Sequence, residues 1–275
     1  MKVGKKFSTI LFAGLMTTSA AQAAMITEWS FVNSAGFINW QAAGVTASGA
    51  SNYLDEFNVL QTWYSSLSWG DPVNGSPSSF AVTSPILGTV TTNGAAEMGT
   101  TLVHNNFPVF DNGELLTQTT LLNQLLLTPL FPAGPAINAP TIAFDINFFE
   151  TVNAPGNGVL CPDGNAQGVG QNINGCGDIF AIASPLDLVQ QLVIDDYLYT
   201  FAIGVMGGSI LSDATCSLMG FASGCYGFVT IENQTNTIQP FFSITARQMT
   251  DVPAPASLAV FGLGLLLLSR LSRRT

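Results

Sequence analysis

What this 275-residue chain most lacks is positive charge: no lysine or arginine falls between Phe7 and Ala246. It also has a single histidine, no Cys-x-x-Cys pair and no Gly-x-Ser-x-Gly segment. Each absence closes off a function. Without basic side chains nothing neutralises phosphate, so nucleic acid and anionic lipid are not expected as direct partners. A lone histidine with no nucleophile elbow defines no Ser-His-Asp site, and the chain is not read as an enzyme. Long amphipathic helices are missing too: between Ala24 and Asp251 the apolar residues come in short runs of Thr, Val, Ile, Phe and Leu, broken by Gly, Pro, Asn and Ser. That texture predicts many strands and turns.

What is present begins with the acids. All seventeen lie between Glu28 and Asp251, where Arg247 is the one basic residue, so that segment carries a net charge near −16. Two readings fit: a solubility device, or counter-charge for cations, calcium in particular. Surface ion pairs then hardly contribute, and stability must come from apolar burial and backbone hydrogen bonds.

Several segments alternate with a period of two, which marks half-buried strands. The apolar phase runs through Phe57, Val59, Trp63, Leu67 and Trp69, through Ile142, Phe144, Ile146 and Phe148, and through Tyr197, Tyr199, Phe201, Ile203 and Val205. The segment Leu115–Leu127 fits neither period well, and its threonines favour a strand over a short helix. The expected fold is all-β: an antiparallel, jelly-roll-like β-sandwich over 24–251, with a wide barrel as the alternative.

The four cysteines form two local pairs. Cys161 with Cys176 and Cys216 with Cys225 are the favoured disulfides of three connectivities. Each would close a glycine-containing loop and stabilise by roughly 2–4 kcal/mol. Zinc is the runner-up for these cysteines, with few ligands at metal spacing.

The two ends read as processing signals. Lys2, Lys5 and Lys6, a short apolar stretch and Ala21-Gln22-Ala23 make 1–23 a secretory signal peptide, to be removed by signal peptidase. The tail, 252–275, runs from Val252-Pro253-Ala254-Pro255 through the uncharged Leu258–Leu268 to Arg270, Arg273 and Arg274. Pro253 to Ser269 is seventeen residues, at the short end of the about 17–25 that span a bilayer. The arginines place the chain's end on the cytoplasmic side of the inner membrane.

This tripartite tail resembles the PEP-CTERM sorting signal, with Ala254 where the middle Glu of the motif stands. The resemblance implies processing by an exosortase-type enzyme, delivery to the cell surface or extracellular matrix, and association with exopolysaccharide and biofilm. A second stretch, Thr100-Thr101-Leu102-Val103-His104-Asn105-Asn106, is similar to the signature of the THxN family of PEP-CTERM proteins: His104 and Asn106 match, and Val103 stands in place of the Thr. Upstream, Leu67-Ser68-Trp69-Gly70 is similar to that family's Leu-x-Trp-Gly segment. The resemblance implies no activity. The expected function is a structural or interaction protein; the alternative is a carbohydrate- or calcium-binding module.

Individual sites were weighed on residue chemistry. His104 reads as a backbone-bonded core histidine or as a ligand or base. Asp145 with Glu150, and Asp195 with Asp196, are the carboxylate pairs a glycosidase would use, but on strands both pairs point to opposite faces. Asp163-x-Asn165-x-Gln167-Gly168 copies the first half of a calcium loop, with Asn174 where a bidentate Glu is needed. The candidate ligands are Asp163, Asn165 and Asp178; the other reading is a Gly/Asn turn, and no cofactor. Trp40, flanked by Asn39 and Gln41, is the tryptophan expected to be exposed for stacking on sugar.

Overall fold

The computed structural model describes residues 24–249, apart from 56, 111–114, 140, 154–155, 157 and 184–188. The signal segment 1–23 and the tail, with Val252, Pro253, Ala254, Pro255, Arg270, Arg273 and Arg274, lie outside the described residues. Among those described, no helix is long and apolar enough to cross a membrane.

The chain runs β1 (Glu28–Gln41), β2 (Thr46–Leu54), β3 (Leu60–Trp69), β4 (Asp71–Pro72), β5 (Ser78–Thr83) and β6 (Ile86–Thr91). It continues through β7 (Glu97–Met98), β8 (Thr101–Asn106), β9 (Val109–Phe110), β10 (Gln118–Phe131), β11 (Ile137–Asn138) and β12 (Ile142–Phe149). Then come β13 (Asp178–Ile182), β14 (Val189–Ile194), β15 (Tyr197–Val205), β16 (Ser209–Ile210) and the short helix α1 (Asp213–Leu218). The last strands are β17 (Tyr226–Thr230), β18 (Gln234–Ile238) and β19 (Pro240–Gln248).

The fold is all-β, with antiparallel pairing between the described strands. A large sheet follows the order β16-β17-β13-β12-β10-β1-β3-β5-β8-β18, and a four-stranded sheet follows β14-β15-β19-β7. Strand β1 is the spine. It pairs with β10 along its length, its first half pairs with β6, and Phe37 meets Tyr64 of β3 beyond that point. The register slips between Phe37 and Asn39, where a bulge bends the strand. Gly36 admits the change of partner, since a Cβ there would run into the Trp63 ring.

Two apolar clusters follow from the alternation. One, around Phe37, Leu67, Trp69, Phe80, Phe148 and Phe180, fills the space within the large sheet. The other joins Trp29, Phe31 and Leu127 of the large sheet to Tyr199, Phe201 and Ile244 of the four-stranded sheet. This second cluster makes the pair sandwich-like, one sheet laid on another. Its polar tips are met: the Trp29 indole N–H donates to Thr92 Oγ1 at 2.8 Å, and the Tyr199 hydroxyl accepts from the Ile26 N–H at 2.7 Å.

The β12 alternation holds throughout, and the ambiguous leucine-rich stretch is strand β10. The first alternating run begins later than expected. Phe57 and Val59 are exposed at the tip of the β2–β3 hairpin, because Asp55 Oδ1 accepts from the Phe57 and Val59 N–H groups and turns the chain there. Asp195 and Asp196 form the β14–β15 turn, with Asp195 at φ 50°, rather than continuing a strand. Both expected disulfides are present, Cys161–Cys176 and Cys216–Cys225, and all four sulfurs are thereby withdrawn from zinc binding. The second closes around α1, which the sequence reading lacked; Ser212 caps it, accepting from the Thr215 N–H at 3.1 Å.

Candidate functional site

Three neighbouring strands deliver three carboxylates to one place. Glu150 follows the end of β12, Asp178 opens β13, and Glu232 lies two residues past β17. The register sets Phe149 opposite Ile179 and Asp178 opposite Thr230, so the three strand ends are adjacent. Carboxylate oxygens of Glu150, Asp178 and Glu232 lie within 4.8 Å of one another. Asp178 and Glu232 are buried, at 0% and 1% exposure, while Glu150 is half-buried.

The Thr151 N–H donates to Asp178 Oδ1 at 2.8 Å, and the Trp69 indole N–H donates to Glu150 Oε2 at 3.3 Å. Asp178 Oδ2 and both Glu232 oxygens are buried with no aligned donor among the described residues, and the two acids lie close enough to share a proton. The Asn106 amide lies close enough to pull Glu232 down in pKa, yet the directions of its N–H groups go to Thr230 O and Oγ1, both at 3.4 Å. Geometry decides here, and Glu232 has no well-aligned donor. Burial, then the Glu150 and Glu232 charges, push Asp178 well above the usual carboxylate range. Burial pushes Glu232 up to about 7 against the lowering effects of Asn106, Asp178 and the Asn233 N–H.

The two stretches that carry the THxN resemblance converge on the same place. Trp69 stacks on the His104 ring, centroids 5.6 Å apart and planes within 15°, while donating to Glu150. Phe80, Phe148 and Phe180 meet the same imidazole edge-on. Its Nδ1 shares a 2.9 Å hydrogen bond with Thr230 Oγ1, and the Thr230 hydroxyl donates to the Asp178 carbonyl at 3.3 Å. Burial depresses His104 to about 3, so it is neutral at ordinary pH. It is a core side chain at 0% exposure, bonded to a threonine side chain rather than to the backbone, with Nε2 left without a partner.

The Cys161–Cys176 loop covers this end of the strands. The Thr151 hydroxyl donates to the Cys176 carbonyl, and Asn174 Nδ2 donates to the Glu232 carbonyl at 3.1 Å. Gly175 at φ 147° allows the close approach; a Cβ there would collide with the Asn153 carbonyl and stand 3.0 Å from Glu232 Cγ.

Of the expected calcium ligands, only Asp178 belongs to the carboxylate group. Asp163 instead binds its own loop, accepting from the Asn165 N–H at 3.0 Å, Asn165 Nδ2 at 2.9 Å and Asn172 Nδ2 at 3.0 Å. The segment is a turn closed on the Asp163 carboxylate. Asp145 faces outward and accepts from the Thr120 hydroxyl at 2.6 Å, so it makes no pair with Glu150. Trp40 is half-buried and edge-on to Tyr64 at 5.5 Å; Trp29, Trp63 and Trp69 are buried. It is the most exposed tryptophan but not a free platform.

Sequence reasoning missed Glu232 and weighed Glu150 only against Asp145, a pair it set aside. The available signal was positional: each acid sits at the end of a strongly apolar strand, where a carboxylate is costly unless something meets it. No protein-family model matches the chain, and no curated protein matches it.

Proposed function

We propose that this is an exported structural or interaction protein of the cell surface or extracellular matrix. In this reading it is a jelly-roll-like sandwich between a cleaved signal helix and a transmembrane sorting helix. The PEP-CTERM-like tail directs it to an exosortase-type enzyme, and its setting is exopolysaccharide and biofilm. The observation that carries the reading is the pair of local disulfides. Such bonds persist in oxidising compartments outside the cytoplasm, where a domain with one basic side chain gains little from ion pairs. The tripartite tail supplies the sorting step.

The test follows the natural protein, tagged within the domain, in its host and in a host lacking exosortase. The expected result is a surface or matrix protein shortened at its C terminus in the first and a membrane-held, full-tail form in the second. Identical products in both hosts would contradict sorting by that route. Recovery with four reduced cysteines would contradict export.

A further inference from the structure

Three acids converge, and among the described residues Asp178 and Glu232, nearly free of solvent, meet no basic side chain: Arg247 is exposed on the four-stranded sheet, and His104 is neutral. A buried carboxylate without an opposite charge is strongly disfavoured, so the group takes up either a cation or protons. A second observation points inward to the same spot. Asn106, 0% exposed, turns its amide N–H side toward Glu232 and Thr230 and leaves its side-chain oxygen with no hydrogen-bond partner.

We infer that Glu150, Asp178 and Glu232 form a calcium site that fastens the Cys161–Cys176 loop to the end of the sandwich. The ligand chemistry selects the ion. All donors are oxygens, which suit a hard cation, and thiolate and accessible imidazole are missing from the set. The spacing suits calcium: oxygens bound at about 2.3–2.6 Å on opposite sides of an ion stand about 5 Å apart, matching a group within 4.8 Å. Half-buried Glu150 gives the ion its way in. The consequence for the loop is direct. Thr151 bonds both Asp178 and Cys176, and Asn174 bonds the backbone of Glu232, so a cation that fixes these acids also fixes the Cys176 end of the loop. The site goes beyond the sorting reading and stands or falls without it.

The test uses the full chain, purified with both disulfides formed and freed of metal by chelation. Calcium chloride alone is titrated calorimetrically, with magnesium chloride in parallel, and thermal melting is followed with and without calcium. One calcium per chain should bind with a dissociation constant of about 10⁻³ M or tighter, the range of extracellular modules and stronger sites, and the melting temperature should rise. Asp178→Asn and Glu232→Gln should each weaken binding at least tenfold while melting no lower than the calcium-free parent. That comparison separates a lost ligand from a lost fold. Asp163→Asn should bind as the parent does. The inference is overturned if the parent binds no calcium and its melting is unmoved, which would make protons the neutralising charge. It is equally overturned if both amide variants bind undiminished or if Asp163→Asn abolishes binding.

Discussion

Two buried polar groups in this molecule have opposite characters. Between the apolar clusters, Asn33 of β1 donates to Asn123 Oδ1 at 2.8 Å and to the Gln124 carbonyl at 3.2 Å, and its own oxygen accepts from the Thr100 N–H at 2.9 Å. Every polar atom of that side chain finds a protein partner, so the group is closed. At the strand ends, Asp178 and Glu232 are just as deep, but three of their oxygens find no aligned donor. The first arrangement specifies how β1 and β10 meet the approach to β8. The second buries acids for which the described residues supply no aligned donor, the kind of arrangement that marks a candidate site. Burial alone therefore does not distinguish a structural polar group from a site; satisfaction does.

The largest expected effect is at the residue that links core and site. Trp69→Ala should cost about 3–5 kcal/mol in denaturant unfolding, because it opens a cavity under His104 and Phe148. Trp69→Phe should retain most of that stability while weakening calcium binding through the lost N–H to Glu150. Equal stability losses in the two variants would show that packing is not the dominant role.

Replacing Cys161 and Cys176 together by serine should cost roughly 3 kcal/mol for a loop of this length. The loss should be partly recovered when calcium is added, since the ion clamps the same loop. A calcium-independent loss would detach the loop from the site.

Asn33→Leu should cost about 1–3 kcal/mol by stranding the Thr100 N–H and Asn123 Oδ1. Its melting shift on adding calcium should equal the parent's. A variant that lost the calcium response would erase the distinction between the closed and the open group.

The smallest effect belongs to Asp163→Ala. This loop carboxylate has ordinary partners in Asn165 and Asn172, and losing them should cost about 0.5–1.5 kcal/mol in thermal unfolding. A loss above that range would mean the turn bears on the sandwich itself.

The sequence makes the elements legible and their neighbours illegible. Alternation in Ile142–Phe149 is read correctly because one face is apolar at every second residue. Cysteine spacing reveals the disulfides because loops of nine and fifteen residues close locally. Asp178 stands out as an acid near the glycine-rich loop, and His104, Asn106 and Trp69 stand out by resemblance. The joining of Glu150, Asp178 and Glu232 is hidden, since period two tells which face a side chain takes and not which strands lie side by side. The failure at Phe57 and Val59 has a local cause: the Asx turn at Asp55 overrides an apolar rhythm that continues through it.

The most direct measurement is a crystal structure of the full chain grown with calcium, with anomalous scattering recorded at the strand ends of β12, β13 and β17. The account predicts one calcium peak with oxygens of Glu150, Asp178 and Glu232 at about 2.3–2.6 Å. Asp178 and Glu232 oxygens joined directly by a short hydrogen bond, with no ion between the three acids, would contradict it.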